Sequence, residues 1–439
     1  MIQEQKQVNY LPPFITLVVL FFFIGFLTAA NGQFQGPLKA AFLDGAGSLK
    51  NTFATLISFS WFMAYPIMGG TATSWVNKYG YKGTLIRGLI ILIVGLGIFW
   101  ASSKYTVLFP ESSIEIASAT VPIGYFIFLL GSFVVGAAAT ILQVVINPYL
   151  SACNVKGTQP VQRLSIGGSS NSIGTTVAPF FVTGIVFGGL SMEDIQVSQL
   201  QTPFIGLMVI IAIVTIILSR LSLPDIQGTR ADSEVKLEKS VWSFSHLTLG
   251  VIALFFYVGV EVCIGANINL YALELEKTGE VFSFFGMSQL SIFGVNFSIP
   301  ALMATLYWGG MLIGRLISSS LSKISPKIQL GVTAIFAAIF TLMTIITNSP
   351  WLLVCVGLFH SVMWGAIFTL AIDKLGKYTS AGSGALMVGV LGGALLPLLQ
   401  GILADSMDGM WRWTWFIVVV GELYILYYAF IGSRVKIEF

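Results

Sequence analysis

The sequence predicts an all-α membrane protein of about twelve transmembrane helices in two pseudo-symmetric six-helix bundles. Three observations carry that expectation. Of the 439 residues 56% are hydrophobic and only 9% charged, with a mean hydropathy of +0.87, beyond what a soluble core of this length would carry. Apolar runs long enough to cross about 30 Å of hydrocarbon as helices recur along the whole chain. The two halves also echo each other in sequence.

The spans are centred at 11–31, 52–74, 84–102, 121–147, 165–188, 203–222, 246–271, 301–321, 328–347, 351–371, 381–403 and 412–433. Span one follows the polar MIQEQKQVNY, which has a single Lys and no small-residue cleavage site, so it is expected to be retained. Spans two and eight each run into a basic loop: Met68-Gly69-Gly70 with Lys78 and Lys82 matches Ile313-Gly314-Arg315 with Lys323 and Lys327 at an offset of 245 residues. Gly174 and Pro179 of span five match Gly392 and Pro397 of span eleven at an offset of 218 residues. Such matches in corresponding spans are expected of a parallel repeat. Between spans six and seven, LPDIQGTRADSEVKLEKS is the most polar stretch and reads as a linker. The expected division is therefore residues 1–222, a cytoplasmic linker at 223–245, and residues 246–439. The outer segment 274–300, with Phe282, Phe284, Phe285 and Phe293, is long for a tight loop and reads as a surface helix, a lid, or a loop lying on the headgroups.

With both termini in the cytoplasm, only Lys39, Lys50, Lys104, Lys277 and Arg412 of the 22 basic residues lie outside, as the positive-inside rule requires. That places the chain in a bacterial-type cytoplasmic (inner) membrane, with lipid around it and a monomer expected. The net charge of +3, without a block of like charges, gives no reason to expect a nucleic-acid partner. Cys153, Cys263 and Cys355 are more than ninety residues apart, and the only histidines are His246 and His360, so no zinc spacing or disulfide framework is present. The sequence also lacks G-x-S-x-G, H-E-x-x-H and phosphate-cradling Gly-Lys-Ser/Thr signatures. An enzyme, a metal centre and an organic cofactor are all unexpected.

Glu261 stands alone in the apolar run 244–271. A charge at bilayer depth costs at least about 2.5 kcal/mol, so such a residue is expected to face a cavity and act there. Glu422 in span twelve is expected to serve structure or an oligomer contact. Arg315 is expected to lock the end of span eight to a neighbouring helix C-terminus. The glycines around 131–136 and 389–393 read as close-packing surfaces.

Several strings narrow the class. FFFIGFLTAANGQFQGPLKAAF at 21–42, ILQVVINPYL at 141–150, Arg163-Leu164 with Asn171-Ser172-Ile173-Gly174, Tyr257-Val258-Gly259-Val260-Glu261-Val262, and Tyr307-Trp308-Gly309-Gly310-Met311-Leu312-Ile313-Gly314-Arg315 stand in both halves. Over residues 15–430 the chain resembles the fucose/glucose/galactose cation-symporter family of the major facilitator superfamily. The resemblance implies uptake of a neutral sugar driven by a proton or sodium gradient. The acids that the fucose branch carries in spans one and four fall here at Gly32 and Gln143, so the chain is more similar to the glucose/galactose-like branch, which moves the coupling role onto Glu261. Ser165 and Gly168 stand where the family usually has Asn and Gln, so two amides are missing and the substrate is either bulkier than a hexose or held by other groups.

A neutral sugar needs amide and hydroxyl partners and an aromatic face between the halves. The candidates are Asn31, Gln33 and Gln35, Gln143 and Asn147, Asn171, Asn267 and Asn269, with Tyr307, Trp308 and Trp364 as aromatic surfaces. Asn31, Gln33, Gln35 and Asn269 have no other assigned role, whereas Asn171, Asn267 and Gln143 can equally tie helices together, Asn147 before Pro148 can cap a helix, and Tyr307 and Trp308 can serve packing. Arg163, Arg315, Gly174, Pro179, Gly392 and Pro397 are expected to be structural or gating residues. Glu261 is expected to carry a proton, with Na⁺ as the alternative. An exporter and a non-transporting sugar sensor are the competing classes.

Overall fold

The computed structural model describes residues 9–153, 155–158, 160–188, 194–221, 223, 238–292, 294–319 and 324–435. Most of the expected linker (224–237), Lys6, Arg230, Lys236, Phe293, Lys323 and Lys436 lie outside the described residues.

Among the described residues, nine helical stretches are long and apolar enough to cross a membrane. One of them holds two passes: the helix Lys50–Leu108 folds back at Gly80, whose φ of +68° suits only a residue without Cβ. Two less apolar passes, Pro160–Phe180 extended by Phe181–Val186, and Ile299–Ser319, bring the number to twelve. In lipid every backbone polar group needs an internal partner, and the helix supplies one locally, which is why hydropathy alone located the passes.

Helices run beyond the expected spans wherever their backbone stays bonded. Span one, Leu11–Gln33, continues as Gln35–Phe42, and span seven covers Ser245–Lys277. Span four is Ile123–Ala152 and continues through Pro148, so Asn147 does not end the helix as a cap. Pro148 lacks the N–H for the preceding turn, which leaves a carbonyl free there. Span ten is interrupted between Trp351–His360 and Met363–Ala371. Span eleven passes from Thr379–Leu386 through a tight turn at Met387–Leu391 into Gly392–Ser406.

Two antiparallel hairpins lie on the side opposite the chain termini. Ser113–Ile116 pairs with Ala119–Pro122 before span four, and Gln289–Ile292 pairs with Val295–Ser298 before span eight. The segment 274–300 is thus the end of a helix followed by a hairpin and not a surface helix. Its Phe297 is buried and meets the ring of Phe180 edge-on at 5.5 Å. That contact joins the second hairpin to span five.

Glycines set the helix spacing. A Cβ on Gly174 would strike the main chain of Phe22 and Phe26 in span one, and one on Gly392 would strike the main chain of Phe255 in span seven. The matched glycines of spans five and eleven therefore do the same work in each half, admitting a neighbouring helix to backbone contact. Pro179 and Pro397 are buried in the same helices. Gly393 faces the ring of Phe62, and Gly401 faces Asn51 and Thr55, so span eleven lies along span two of the other half. Span six turns Ile205, Val209, Ile213 and Ile216 outward at helical spacing.

Candidate functional site

Glu261 sits midway along span seven and keeps partial exposure, while the neighbouring residues Val260 and Val262 are buried. Tyr257, one turn earlier on the same face, donates its hydroxyl proton to Glu261 Oε1 at 3.1 Å or to the main-chain oxygen of His360 at 3.3 Å. That oxygen is free of helical bonding because span ten is interrupted just after His360. The guanidinium of Arg315 and the imidazole of His360 face the carboxylate. The site brings a proton-accepting oxygen, a phenol and a guanidinium together in mid-membrane.

Arg315 does more than lock a helix end. Its Nη1 donates to Gly168 O at 3.4 Å and to Ser172 Oγ, both on span five of the opposite half, and its Nε reaches Ser361 O at the span-ten interruption. One guanidinium thus spans both halves beside Glu261. Arg163 holds the turn after span four, donating from Nε to Leu150 O at 3.0 Å and from Nη1 to Thr158 O at 2.9 Å.

Behind Glu261 lies a second polar cluster that the sequence did not mark as one. Tyr307 Oη meets His360 Nδ1 at 2.7 Å, and His360 Nε2 meets Glu422 Oε1 at 2.7 Å. His360 and Glu422 are fully buried. Glu422 is therefore neither at the periphery nor free for an oligomer contact: span twelve turns it inward onto span ten. The only available signal was the rarity of ionisable residues in membrane spans. Tyr307 also lies 3.4 Å from the main-chain oxygen of Glu261, while Trp308 packs against Gly265 with its indole N–H unpartnered.

The amides divide into three groups. Asn31 donates to Ile57 O at 3.2 Å and accepts from Ser132, Gln35 donates to Ser58, and Asn267 donates to Gln400, which bonds on to Thr414. These three amides are buried ties between helices, and the half-buried Asn171 is a further tie, donating to Phe21 O at 3.0 Å. A second group joins the two halves on the hairpin side: Gln33 donates to Gly265 O at 2.9 Å, and Asn269 donates to Gln33 at 2.8 Å while accepting from Ala304 N.

The third group lies on the side of the termini. Gln143 and Asn147 share one face of span four and are half-buried, as is Trp364, whose ring meets Tyr257 edge-on at 6.4 Å. Gln143 donates to the hydroxyl of Tyr65, a residue absent from the sequence-based candidates, which stacks on Phe62. This third group, with Glu261, combines polar atoms with access; Asn171 and Asn269 are half-buried too, but each is held by hydrogen bonds to a neighbouring helix. The candidates therefore do not form one cluster.

The profile of the Major Facilitator Superfamily matches residues 21–390. A glucose/galactose transporter of Brucella abortus biovar 1 (strain 9-941) is 31% identical over 438 residues, covering 98% of this chain and 97% of that protein. An L-fucose-proton symporter of Haemophilus influenzae is 24% identical over 431 residues, covering 92% and 91%. Among solved structures, the E. coli fucose:proton symporter superposes with a TM-score of 0.64 at 20% identity, covering 97% of this chain and 100% of that one. Twelve passes, this fold and a match over most of the length lead to one conclusion: the chain is a membrane transporter, not an enzyme, and belongs to the major facilitator superfamily.

Proposed function

We propose that the protein imports a neutral sugar together with a proton by alternating access, with Glu261 as the coupling group. The observation that carries this reading is the accessible carboxylate at mid-membrane, hydrogen-bonded to Tyr257 and faced by Arg315. Glucose, galactose and fucose are the sugars named for the relatives. A proton is the ion assigned to the site, since it is the coupling ion in the name of the L-fucose-proton symporter relative. Gln143 and Asn147 supply hydrogen bonds to sugar hydroxyls, and Trp364 supplies an apolar face. Asn31, Gln35, Asn171 and Asn267 hold helices in place, and Gln33 and Asn269 act as a gate.

In this reading residues 1–222 and 246–439 move as bodies joined by a cytoplasmic linker at 223–245. The chain is a monomer in the inner membrane with both termini cytoplasmic, and the outward apolar face of span six meets lipid. The ties between halves on the hairpin side then close that side, and Arg315 bonded to Gly168 and Ser172 ties the halves nearer the termini.

Uptake of labelled monosaccharides, disaccharides and amino sugars into proteoliposomes, under an imposed proton or sodium gradient, tests the reading. Accumulation of a sugar under the proton gradient alone is expected. Accumulation only under sodium would overturn the ion assignment, and none under either would overturn import of a sugar.

A further inference from the structure

We propose that His360 and Glu422 form a second proton-carrying site, coupled to Glu261 by charge and by the orientation of the Tyr307 and Tyr257 hydroxyls, so that the two sites do not titrate independently. The inference rests on the symport reading of Glu261 and adds a positioning pair behind it.

Both imidazole nitrogens of His360 are engaged at 2.7 Å, Nε2 by Glu422 and Nδ1 by Tyr307, with no water-exposed atom on either ionisable side chain. Glu422 Oε2 has no partner. An ionised Glu422 leaves that oxygen charged and unsatisfied in an apolar interior, whereas a carboxylic acid donating from Oε1 leaves only a carbonyl there. Every titratable or charged group that acts on the cluster has a place in it: Tyr257, Glu261 and Cys263 from span seven, Tyr307 and Arg315 from span eight, His360 from span ten and Glu422 from span twelve.

The pair has two forms that differ by one proton. In the first, Glu422 O–H donates to Nε2, Nδ1–H donates to the Tyr307 oxygen, and the pair is neutral. The Tyr307 proton is then free to point at the main-chain oxygen of Glu261, 3.4 Å away. Moving the shared proton onto Nε2 gives imidazolium and carboxylate, with the same arrangement at Nδ1. Loss of one proton gives the second form, in which Nε2–H donates to the carboxylate, Nδ1 accepts from the Tyr307 hydroxyl, and the net charge is −1. The Tyr307 proton has reversed direction. A proton on the pair is therefore reported one hydroxyl away, at the backbone of Glu261, and two negative charges in one buried cluster oppose each other.

Infrared difference spectra of the purified full-length protein between acidic and alkaline pH test the proposal without any sugar. Two carboxylic-acid carbonyl bands are expected, one lost in Glu261→Gln and the other in Glu422→Gln, the second displaced in His360→Gln. Tyr307→Phe keeps the pair but removes the relay, so both bands should remain while the displacement of the Glu422 band by Glu261→Gln becomes smaller. Absence of any band that Glu422→Gln removes would overturn the proposal and leave the pair a structural tie. In proteoliposomes with labelled D-galactose, Glu422→Gln should move the pH profile of gradient-driven uptake by about one unit while equilibrium exchange persists. An unmoved profile would overturn the coupling. If the unmutated protein moves no sugar of the panel under any gradient, the symport reading fails on its own, and the infrared bands still decide the pair.

Discussion

The carboxylate of Asp405, near the end of span eleven, accepts the main-chain N–H of Thr52 at 2.6 Å, although the two residues lie 353 positions apart in opposite halves. Its other oxygen accepts Asn51 N at 3.0 Å. The helix starting at Lys50 has no side-chain cap of its own, since Leu49 stands at its N-cap. Asp405 therefore caps span two from across the interface, satisfying free N–H groups and meeting the positive end of the helix dipole. Lys39 bonds the side chain of Asn51 beside it.

Such a cap exists only while the hairpin side is closed. Asp405→Ala removes about 1 kcal/mol of differential stabilisation, which shifts the balance about fivefold toward opening on that side. Spin labels on Glu115 and Ser291, one on each hairpin, should show a larger long-distance population in the variant. An unchanged distribution would show that the cap does not set the equilibrium.

Glu261→Gln keeps the size and one hydrogen-bonding oxygen of the side chain but cannot cycle a proton. Gradient-driven accumulation should be lost and sugar exchange across the membrane retained. Accumulation at the unmutated rate would place the coupling elsewhere.

Gln143 and Asn31 are both amides, but their substitutions should differ in kind. Gln143→Ala removes a half-buried group facing the accessible side, so KM should rise by about threefold to tenfold, the value of a neutral hydrogen bond, with little change in the melting temperature. Asn31→Ala removes its bonds to Ile57 O and from Ser132, whose hydroxyl keeps Ile57 O as acceptor, and destabilises the bundle by about 1–2 kcal/mol, read as a lower melting temperature with KM unchanged. The reverse pattern would exchange their assignments.

Gly392→Ala drives a Cβ into the Phe255 main chain, whereas Gly168→Ala meets nothing within 4 Å. The first should lose folded protein in detergent, by at least about 1–3 kcal/mol of overpacking, and the second should keep it. Equal yields of monodisperse protein would refute the backbone contact.

Hydropathy alone determined the class, the twelve passes and the isolation of Glu261, because a helix in lipid satisfies its backbone locally and leaves its signature in consecutive residues. The paired glycines of spans five and eleven were legible for a related reason: close helix contact demands a small residue at a fixed place in each half. Polar side chains are different, because their meaning lies in partners far along the chain. Asn31 reads as a sugar ligand until Ser132 and Ile57 are seen beside it. Glu422 reads as a structural or oligomer-contact residue until span twelve turns it onto His360, 62 residues away. Asp405 lies just past the span expected at 381–403, and nothing in its neighbours shows that it caps a helix of the other half. The sequence by itself determined where the chain crosses the membrane and which residues are costly there; only the tertiary structure decided what each of them bonds, since a hydrogen bond depends on distance in space and carries no trace in the residues on either side.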